Sequence, residues 1–218
     1  NSTTNLINFS DKIFAIFKQE ANFYKRRGGN VFWVGHPMID LTKKLPLKKV
    51  SRTILKLKEN QNILLLMPAS RPQELKYILP IFLKTAKQLQ LRYPSLVVYI
   101  PSCRSSFDEK FRKGLEKYEI KGKVISQQDD SELMPYIYSL AKLALCKSGT
   151  VNMELALYGV PQIIGYKVSR VTAFIAKRIL NFKVRFISPV NLLMRKFIIP
   201  EFVQKNFIEE KIFYKACR

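Results

Sequence analysis

The strongest constraint on the fold is an alternation of short apolar runs with longer amphipathic segments. Runs of β-branched and aliphatic residues, typical of buried parallel strands, occur at 31–34, 63–67, 96–100, 123–125, 143–146 and 162–165. Between them, apolar residues recur at the three- and four-residue intervals of amphipathic helices, at 72–91, 105–118, 131–141 and 151–158. The alternation predicts an α/β fold in which a Rossmann-like parallel sheet carries helices on both faces.

Length, charge and cysteine content narrow the class of protein. The 218 residues are enough for one well-buried domain but not for two Rossmann-type lobes, which need about 150 residues each. A net charge of +22 favours nucleotides, polyanions or an anionic membrane surface, and the lysines are too widely spread to choose among these. The three separated cysteines argue against a zinc site and a disulfide scaffold, and fit a reducing compartment. We expect a fragment of a longer protein that is soluble or lies on a membrane.

The first candidate binding loop follows the strand at 63–67. Ligands of a doubly wound sheet bind beyond the carboxyl ends of its strands, so this loop lies where a site is expected. We predict that Ser70 caps the next helix together with Gln73, with Pro72 in the first turn. Free backbone N–H groups and the Arg71 guanidinium would then form a phosphate site. The alternative is that Arg71 is a solvated first-turn residue.

The second candidate loop follows the strand at 143–146 and contains Ser148, Gly149 and Thr150. Gly149 allows a phosphate to approach the backbone, and the two hydroxyls lie beside a predicted helix N-terminus. Glu154 comes four residues after Thr150 and therefore lies on the same helix face, where it could accept both hydroxyls of a ribose. Many capped helices begin in this way, so the loop gains weight only when it is paired with the first one.

Two further segments each allow two interpretations. His36 has no nucleophile or carboxylate at a diagnostic spacing, so it is either a loop residue near a domain junction or a structural, capped histidine. Residues 167–186 combine apolar positions at helical spacing with several Lys and Arg. Such a segment either lies on an anionic membrane surface or packs its apolar stripe on the protein core.

Taken in order, these motifs resemble one known family. The most specific are Pro-Ala-Ser-Arg-Pro-Gln-Glu-Leu at 68–75, Lys-Ser-Gly-Thr-Val-Asn-Met-Glu at 147–154 and Ser-Pro-Val-Asn-Leu-Leu at 188–193. Further matches lie at 17–24, 34–37, 159–162 and 200–202. The set covers nearly the whole chain. It resembles the C-terminal part of the lipid-A-disaccharide synthase family, and its details resemble the cyanobacterial and plastid-type members of that family.

The resemblance implies a GT-B glycosyltransferase, in which two Rossmann-like domains face a cleft. Residues 1–30 would end the N-terminal acceptor domain and its linker, 31–200 would form the UDP-sugar-binding domain, and 201–218 would be an incomplete helical tail. The family transfers 2,3-diacylglucosamine from UDP to 2,3-diacylglucosamine 1-phosphate, forming a β-1,6-linked disaccharide and releasing UDP. This hexosyltransferase chain would supply the donor-binding half and be inactive alone.

The resemblance also implies roles for individual residues. Ser70, Arg71, Ser148, Gly149 and Thr150 would bind the UDP diphosphate, Glu154 the ribose, and Asn191 would lie near the sugar diphosphate. The general base would belong to the N-terminal domain, which leaves Asn191 as the one catalytic candidate here. No metal or other cofactor is expected, because protein cations take that role in this fold class. Two positions depart from the family pattern: Ala69 replaces a usual Gly, and Lys147 a usual small residue.

The implied partners are a UDP-sugar donor, an acylated glucosamine phosphate acceptor and an anionic membrane surface, with no nucleic acid. The implied location is peripheral, on the cytoplasmic side of a membrane or its plastid-stroma equivalent. Two alternatives remain open at this point. One is a UDP-N-acetylglucosamine 2-epimerase-like enzyme with the same nucleotide site, and the other is a non-catalytic, membrane-associated nucleotide-binding relative. The sequence does not fix the oligomeric state.

Overall fold

The computed structural model describes residues 2–42, 45–126, 131–169 and 185–218. The chain divides into two units, Asn1–Lys44 and Leu45–Arg218. The first unit contains a two-stranded parallel sheet whose small core is formed by Ala15, Ala21 and Val31. Its elements are α1 (Ser2–Phe9), β1 (Ile13–Ala15), α2 (Lys18–Lys25), β2 (Val31–Trp33) and α3 (Met38–Leu41).

The domain boundary predicted at residue 30 differs from this division. Val31 pairs with Ile13, and Trp33 pairs with Ala15, so the predicted strand at 31–34 belongs to the first unit rather than to the larger sheet. Apolar content identified the strand correctly, but a strand's partner depends on contacts that the local pattern does not contain.

The second unit is built on a six-stranded parallel sheet with the order β5-β4-β3-β6-β7-β8. Its strands are β3 (Asn62–Met67), β4 (Leu96–Ser102), β5 (Gly122–Ser126), β6 (Ala141–Lys147), β7 (Gln162–Tyr166) and β8 (Glu201–Val203). Its helices are α4 (Lys48–Leu55), α5 (Pro72–Tyr77), α6 (Leu79–Arg92), α7 (Ser105–Lys117), α8 (Met134–Leu140), α9 (Val151–Leu157), α10 (Pro189–Met194) and α11 (Glu209–Ala216). This is the strand order of a doubly wound Rossmann sheet, which confirms the predicted fold class.

Successive residues of the central strands point to opposite faces of this sheet and enter two different cores. Leu64 and Leu66 of β3 pack with α5, α6 and α7 on one face. Ile63 and Leu65 pack with α4, α8 and α9 on the other. Both faces of the sheet are therefore buried, which explains why the strands read as unbroken apolar runs rather than as an alternating pattern.

The helix predicted at 72–91 is interrupted at Ile78, between α5 and α6. Pro80 has no N–H to donate to the carbonyl four residues earlier, so a hydrogen bond that would join the two helices is missing. The predicted tail at 201–218 is also part of the second unit. Glu201–Val203 forms the edge strand next to β7, and Phe207 and Ile212 are fully buried.

The amphipathic basic segment predicted at 167–186 lies largely outside the described residues, because 170–184 are not among them. Both interpretations of that segment therefore remain predictions. Within the part of the chain that is described, no helix combines the length and the apolar character needed to cross a bilayer.

Candidate functional site

The strand order reverses between β3 and β6, and the two candidate loops follow these two strands. Met67 and Cys146, near the ends of the strands, are paired in the sheet, so the loops begin side by side. Helices that leave such adjacent strands for opposite faces of the sheet open a crevice between them, where α/β proteins bind ligands. The structure thus brings the two loops selected from the sequence to one place.

The first loop begins its helix one residue later than predicted. Arg71, not Ser70, is the N-cap residue of α5, and Pro72 occupies the first turn. Glu74 rather than Gln73 reaches back, because its Oε2 accepts from the backbone N of Ser70 at 2.7 Å and of Arg71 at 3.0 Å. These two N–H groups are therefore bound by the chain's own carboxylate and are not free for an anion.

An ion pair joins the two loops across the crevice. Lys147 Nζ, at the end of β6, lies 3.1 Å from Glu74 Oε1, and the two side chains are only 15% and 11% exposed. The Arg71 guanidinium is different, since its residue is exposed and has no ion-pair or hydrogen-bond acceptor within the described chain. It remains available to a ligand.

Two buried amides hold the second loop in place. Asn152 Oδ1 accepts from the Gly149 N at 2.8 Å, and its Nδ2 donates to the Lys147 carbonyl at 3.1 Å. Gln162 on β7 donates to the Asn152 carbonyl at 2.9 Å. In the described structure the N–H groups of Thr150 and Val151 have no acceptor, so they are available to an anion.

The Ser148 hydroxyl is already engaged, because it donates to the Ile187 carbonyl. That contact ties the second loop to the segment that leads into α10. Ser148 therefore shapes the loop and offers a ligand less than the sequence pattern implied.

A cleft of about 380 Å³ opens between the two loops and α8. Ser70, Gly149, Thr150 and Glu154 all line it, which unites four of the predicted site residues. Met67, Ile125, Met134 and Val151 add an apolar wall. The volume is within the range of small-molecule sites, and apolar walls with a few convergent polar groups are typical of them.

Glu154 is the carboxylate of this cleft, and Tyr138 is its partner. Burial raises the pKa of Glu154, and a hydrogen bond from Tyr138 opposes that rise. Burial also raises the pKa of Tyr138, so its hydroxyl stays protonated beside the carboxylate. The Tyr138 ring in turn packs on Tyr158, with ring centroids 4.8 Å apart. Glu154 therefore lies beside the hydroxyl of a well-packed aromatic ring.

A second cleft, of about 460 Å³, adjoins the first and contains Arg71, Ser148 and Leu192. Lys147 and Gly149 line both clefts and so mark their junction. A ligand with an anionic centre at this junction and a group in each cleft would fit the arrangement.

Asn191 does not face either cleft. It is fully buried, and its Nδ2 donates to the Ile199 carbonyl at 2.7 Å and to Glu201 Oε1 at 2.8 Å. Its Oδ1 accepts from the backbone N of Ile198 at 3.0 Å and of Ile199 at 2.9 Å. The predicted contact with a sugar diphosphate is inconsistent with this geometry, because every hydrogen-bonding position of the amide is taken.

His36 accepts from the Met38 backbone N through Nδ1 at 3.3 Å, which fits the structural interpretation of this residue. Sequence reasoning also missed several polar residues that support the site. They are Glu74, Tyr138, Asn152, Gln162 and Glu201. In the described ranges no cluster of three His, Cys, Asp or Glu residues could hold a metal ion. The expectation that the reaction needs no metal stays a prediction.

Comparisons with known proteins agree with the family resemblance found in the sequence. Residues 1–217 match the family model described as lipid-A-disaccharide synthetase. The chain is 49% identical to the lipid-A-disaccharide synthase of Prochlorococcus marinus strain MIT 9313, over 98% of this chain and 55% of that protein. It therefore spans about half the length of this curated relative.

Two solved structures show the same fold at low identity. One is a UDP-GlcNAc 2-epimerase from Neisseria meningitidis bound to UDP-GlcNAc, with a TM-score of 0.61, 13% identity, and coverage of 94% of this chain and 51% of that one. The other is WaaG, a glycosyltransferase involved in lipopolysaccharide biosynthesis, with a TM-score of 0.54, 14% identity, and coverage of 94% and 53%. At these identities the likeness bears on the fold alone.

Proposed function

Because this chain belongs to the lipid-A-disaccharide synthetase family, we propose that it is the donor-binding half of a glycosyltransferase of lipid A synthesis. The parent enzyme would transfer 2,3-diacylglucosamine from its UDP donor to 2,3-diacylglucosamine 1-phosphate, forming a β-1,6 linkage and releasing UDP. This chain would bind the UDP-sugar, and the remaining half would supply the acceptor site and the general base.

The observation that carries this proposal is the convergence of Glu154, Thr150 and Gly149 in one cleft beside the Arg71 guanidinium. In the proposed pose the uracil lies against the apolar wall and the two ribose hydroxyls donate to Glu154. The diphosphate then lies at the junction of the two clefts, near the N–H groups of Thr150 and Val151, and the sugar extends into the second cleft. Each group of the ligand meets a complementary part of the protein.

The proposed chemistry requires stabilisation of a departing diphosphate. The acceptor hydroxyl would attack the anomeric carbon with inversion and give its proton to the general base of the remaining half. The bond between the anomeric carbon and UDP would break, and negative charge would grow on the leaving group. Arg71 and the two backbone N–H groups would oppose that charge without a metal ion. Ser148 would act indirectly, since its hydrogen bond to the Ile187 carbonyl holds the second loop.

The membrane contact stays a prediction of the same proposal. An acylated acceptor would be presented at a bilayer surface, and a net charge of +22 favours an anionic one. Of the two alternatives, the epimerase-like enzyme shares only the fold with this chain, at 13% identity. A non-catalytic relative would keep the nucleotide site, so binding and turnover must be measured separately.

The test is calorimetric titration of the 218-residue chain with UDP. We expect Arg71→Ala and Glu154→Ala each to weaken binding by about 10- to 100-fold, which is the usual contribution of a charged hydrogen-bonding partner. Arg104→Ala is the matched control, because Arg104 is also an exposed N-cap arginine after a parallel strand, at the start of α7.

Unchanged affinity of both site variants would place UDP elsewhere and contradict the proposal, as would a folded wild-type chain that binds no UDP. To separate the enzyme from its non-catalytic alternative, the parent protein is assayed for UDP release with both acylated substrates. Binding without release would favour the non-catalytic relative.

A further inference from the structure

The ion pair between Lys147 and Glu74 lies at the junction of the two clefts. Lys147 is the last residue of β6 and pairs in the sheet with Gly165 of β7. Glu74 belongs to the first turn of α5, and its other carboxylate oxygen holds the backbone of Ser70 and Arg71. The pair therefore connects the two candidate loops directly, through side chains that are almost fully buried.

The Lys147 ammonium has more hydrogen-bonding capacity than this pair uses. An ammonium group has three donors, and within the described residues Glu74 Oε1 is its one acceptor. The ammonium also lies over Gly149, where a Cβ would be 3.6 Å from Nζ. A partly desolvated cation with spare donors favours an anionic acceptor, and phosphate oxygens are among the strongest.

Resting on the proposed donor site, we propose that Lys147 is a diphosphate-binding residue and that Glu74 competes with the diphosphate for its ammonium. Its position supports this assignment, since Lys147 lines both the first cleft, which contains Glu154, and the second cleft, which contains Glu74 and Arg71. A nucleoside diphosphate bound to Glu154 through its ribose would carry its phosphates past this residue. Lys147 would then favour the binding of nucleoside diphosphates over nucleosides, whereas Glu154 would contact only the ribose.

The same geometry predicts that Glu74 lowers the affinity of the site for a diphosphate. Its carboxylate occupies one donor of Lys147 and repels an incoming phosphate. Replacing Glu74 by Gln keeps an amide oxygen for the Ser70 and Arg71 N–H groups but removes the negative charge. We therefore expect Glu74→Gln to bind UDP more tightly than the wild type at low ionic strength, with uridine affinity unchanged.

The test compares UDP, uridine and inorganic pyrophosphate on four forms of the chain: wild type, Glu74→Gln, the double variant Glu74→Gln/Lys147→Met, and Lys142→Met. The double variant removes both charges, and so avoids leaving a buried carboxylate without a partner. Lys142 lies on the same strand but is exposed, and serves as the control for loss of one positive charge.

Relative to Glu74→Gln, the double variant should lose about 10- to 100-fold in affinity for UDP and pyrophosphate, with uridine affinity changed by less than about twofold. Lys142→Met should match the wild type for all three probes. Equal losses for UDP and uridine, or no loss for either, overturn the role of Lys147 while leaving the donor site intact. Failure of the wild type to bind UDP overturns the donor site and this inference together.

Discussion

Replacing Asn191 by Ala should cost the protein stability rather than nucleotide affinity. The substitution removes an amide that makes four hydrogen bonds. Ile199 is itself 7% exposed, so both its N–H and its carbonyl would lose a partner where water does not easily replace it. At about 1–3 kcal/mol for each of these two buried groups left unsatisfied, the expected loss is about 2–6 kcal/mol in the free energy of unfolding.

A loss of that size is large beside a typical total stability of about 5–15 kcal/mol. For a chain of this length it corresponds to a fall in melting temperature of roughly 4–24 °C, measurable by circular dichroism. Met194→Ala is the control, since this side chain on the same helix is 55% exposed and its removal should change little. UDP affinity, measured well below the melting temperature, should stay within about threefold of the wild type. A variant with native stability and lost UDP affinity would refute the structural role and restore Asn191 as a ligand.

Three further predictions follow from individual contacts. Burial raises the pKa of Glu154 above its ordinary value of 4.5, so the folded chain holds a proton that the unfolded chain releases, and stability is lost as pH rises between the two pKa values. In urea unfolding, the stability of Glu154→Gln relative to wild type should therefore increase from pH 4 to pH 7. A difference that does not change with pH would contradict this. Gly165→Ala would place a Cβ on Cε2 of the buried Phe207 ring, with Cδ2 and Cζ only 2.7 Å away, and should cost about 3 kcal/mol or more by overpacking. Gly149→Ala, whose Cβ would have its nearest neighbour at 3.6 Å, should be neutral in the same thermal melts. Cys103 is exposed and lines the Glu154 cleft, whereas burial raises the pKa of the Cys146 thiol to about 12. A thiol reagent at pH 8, with sites mapped by mass spectrometry, should label Cys103 in the native state, more slowly when UDP is present, and should label Cys146 only after unfolding. Labelling of Cys146 in the native state would contradict its buried position.

The central strands were predictable because burial on both faces leaves them as unbroken apolar runs. The edge strand β8 was not, since Glu201–Val203 is three residues long and partly exposed, and only its pairing with β7 identifies it. The two-stranded sheet of the first unit illustrates the same limit. Composition marked the strand at Val31–Trp33, but its pairing with Ile13–Ala15 depends on tertiary contacts.

The candidate site was predictable as far as local sequence determines it. Ligands of a doubly wound sheet bind at loops beside the switch point, and the two loops selected by this rule do follow the adjacent strands β3 and β6. It could not fix the register of the capping box, because Gln73 and Glu74 both follow the strand at suitable distances, and the carboxylate was the one used.

Local sequence patterns could not predict the contacts between side chains of different elements. Lys147 and Glu74 are 73 residues apart, and their pairing follows only from the adjacency of β3 and β6. Asn191 appeared as a candidate ligand because it matches the family motif at 188–193, whereas its hydrogen-bond partners lie in β8 (Glu201) and just before it (Ile199).

The most direct test of the donor site is a crystal structure of this chain with UDP. We expect both ribose hydroxyls to lie within hydrogen-bonding distance of the Glu154 carboxylate, with the diphosphate at the junction of the two clefts, near Lys147, Gly149 and Arg71. UDP bound away from Glu154, or a ribose that makes no contact with it, would contradict the assignment of this site.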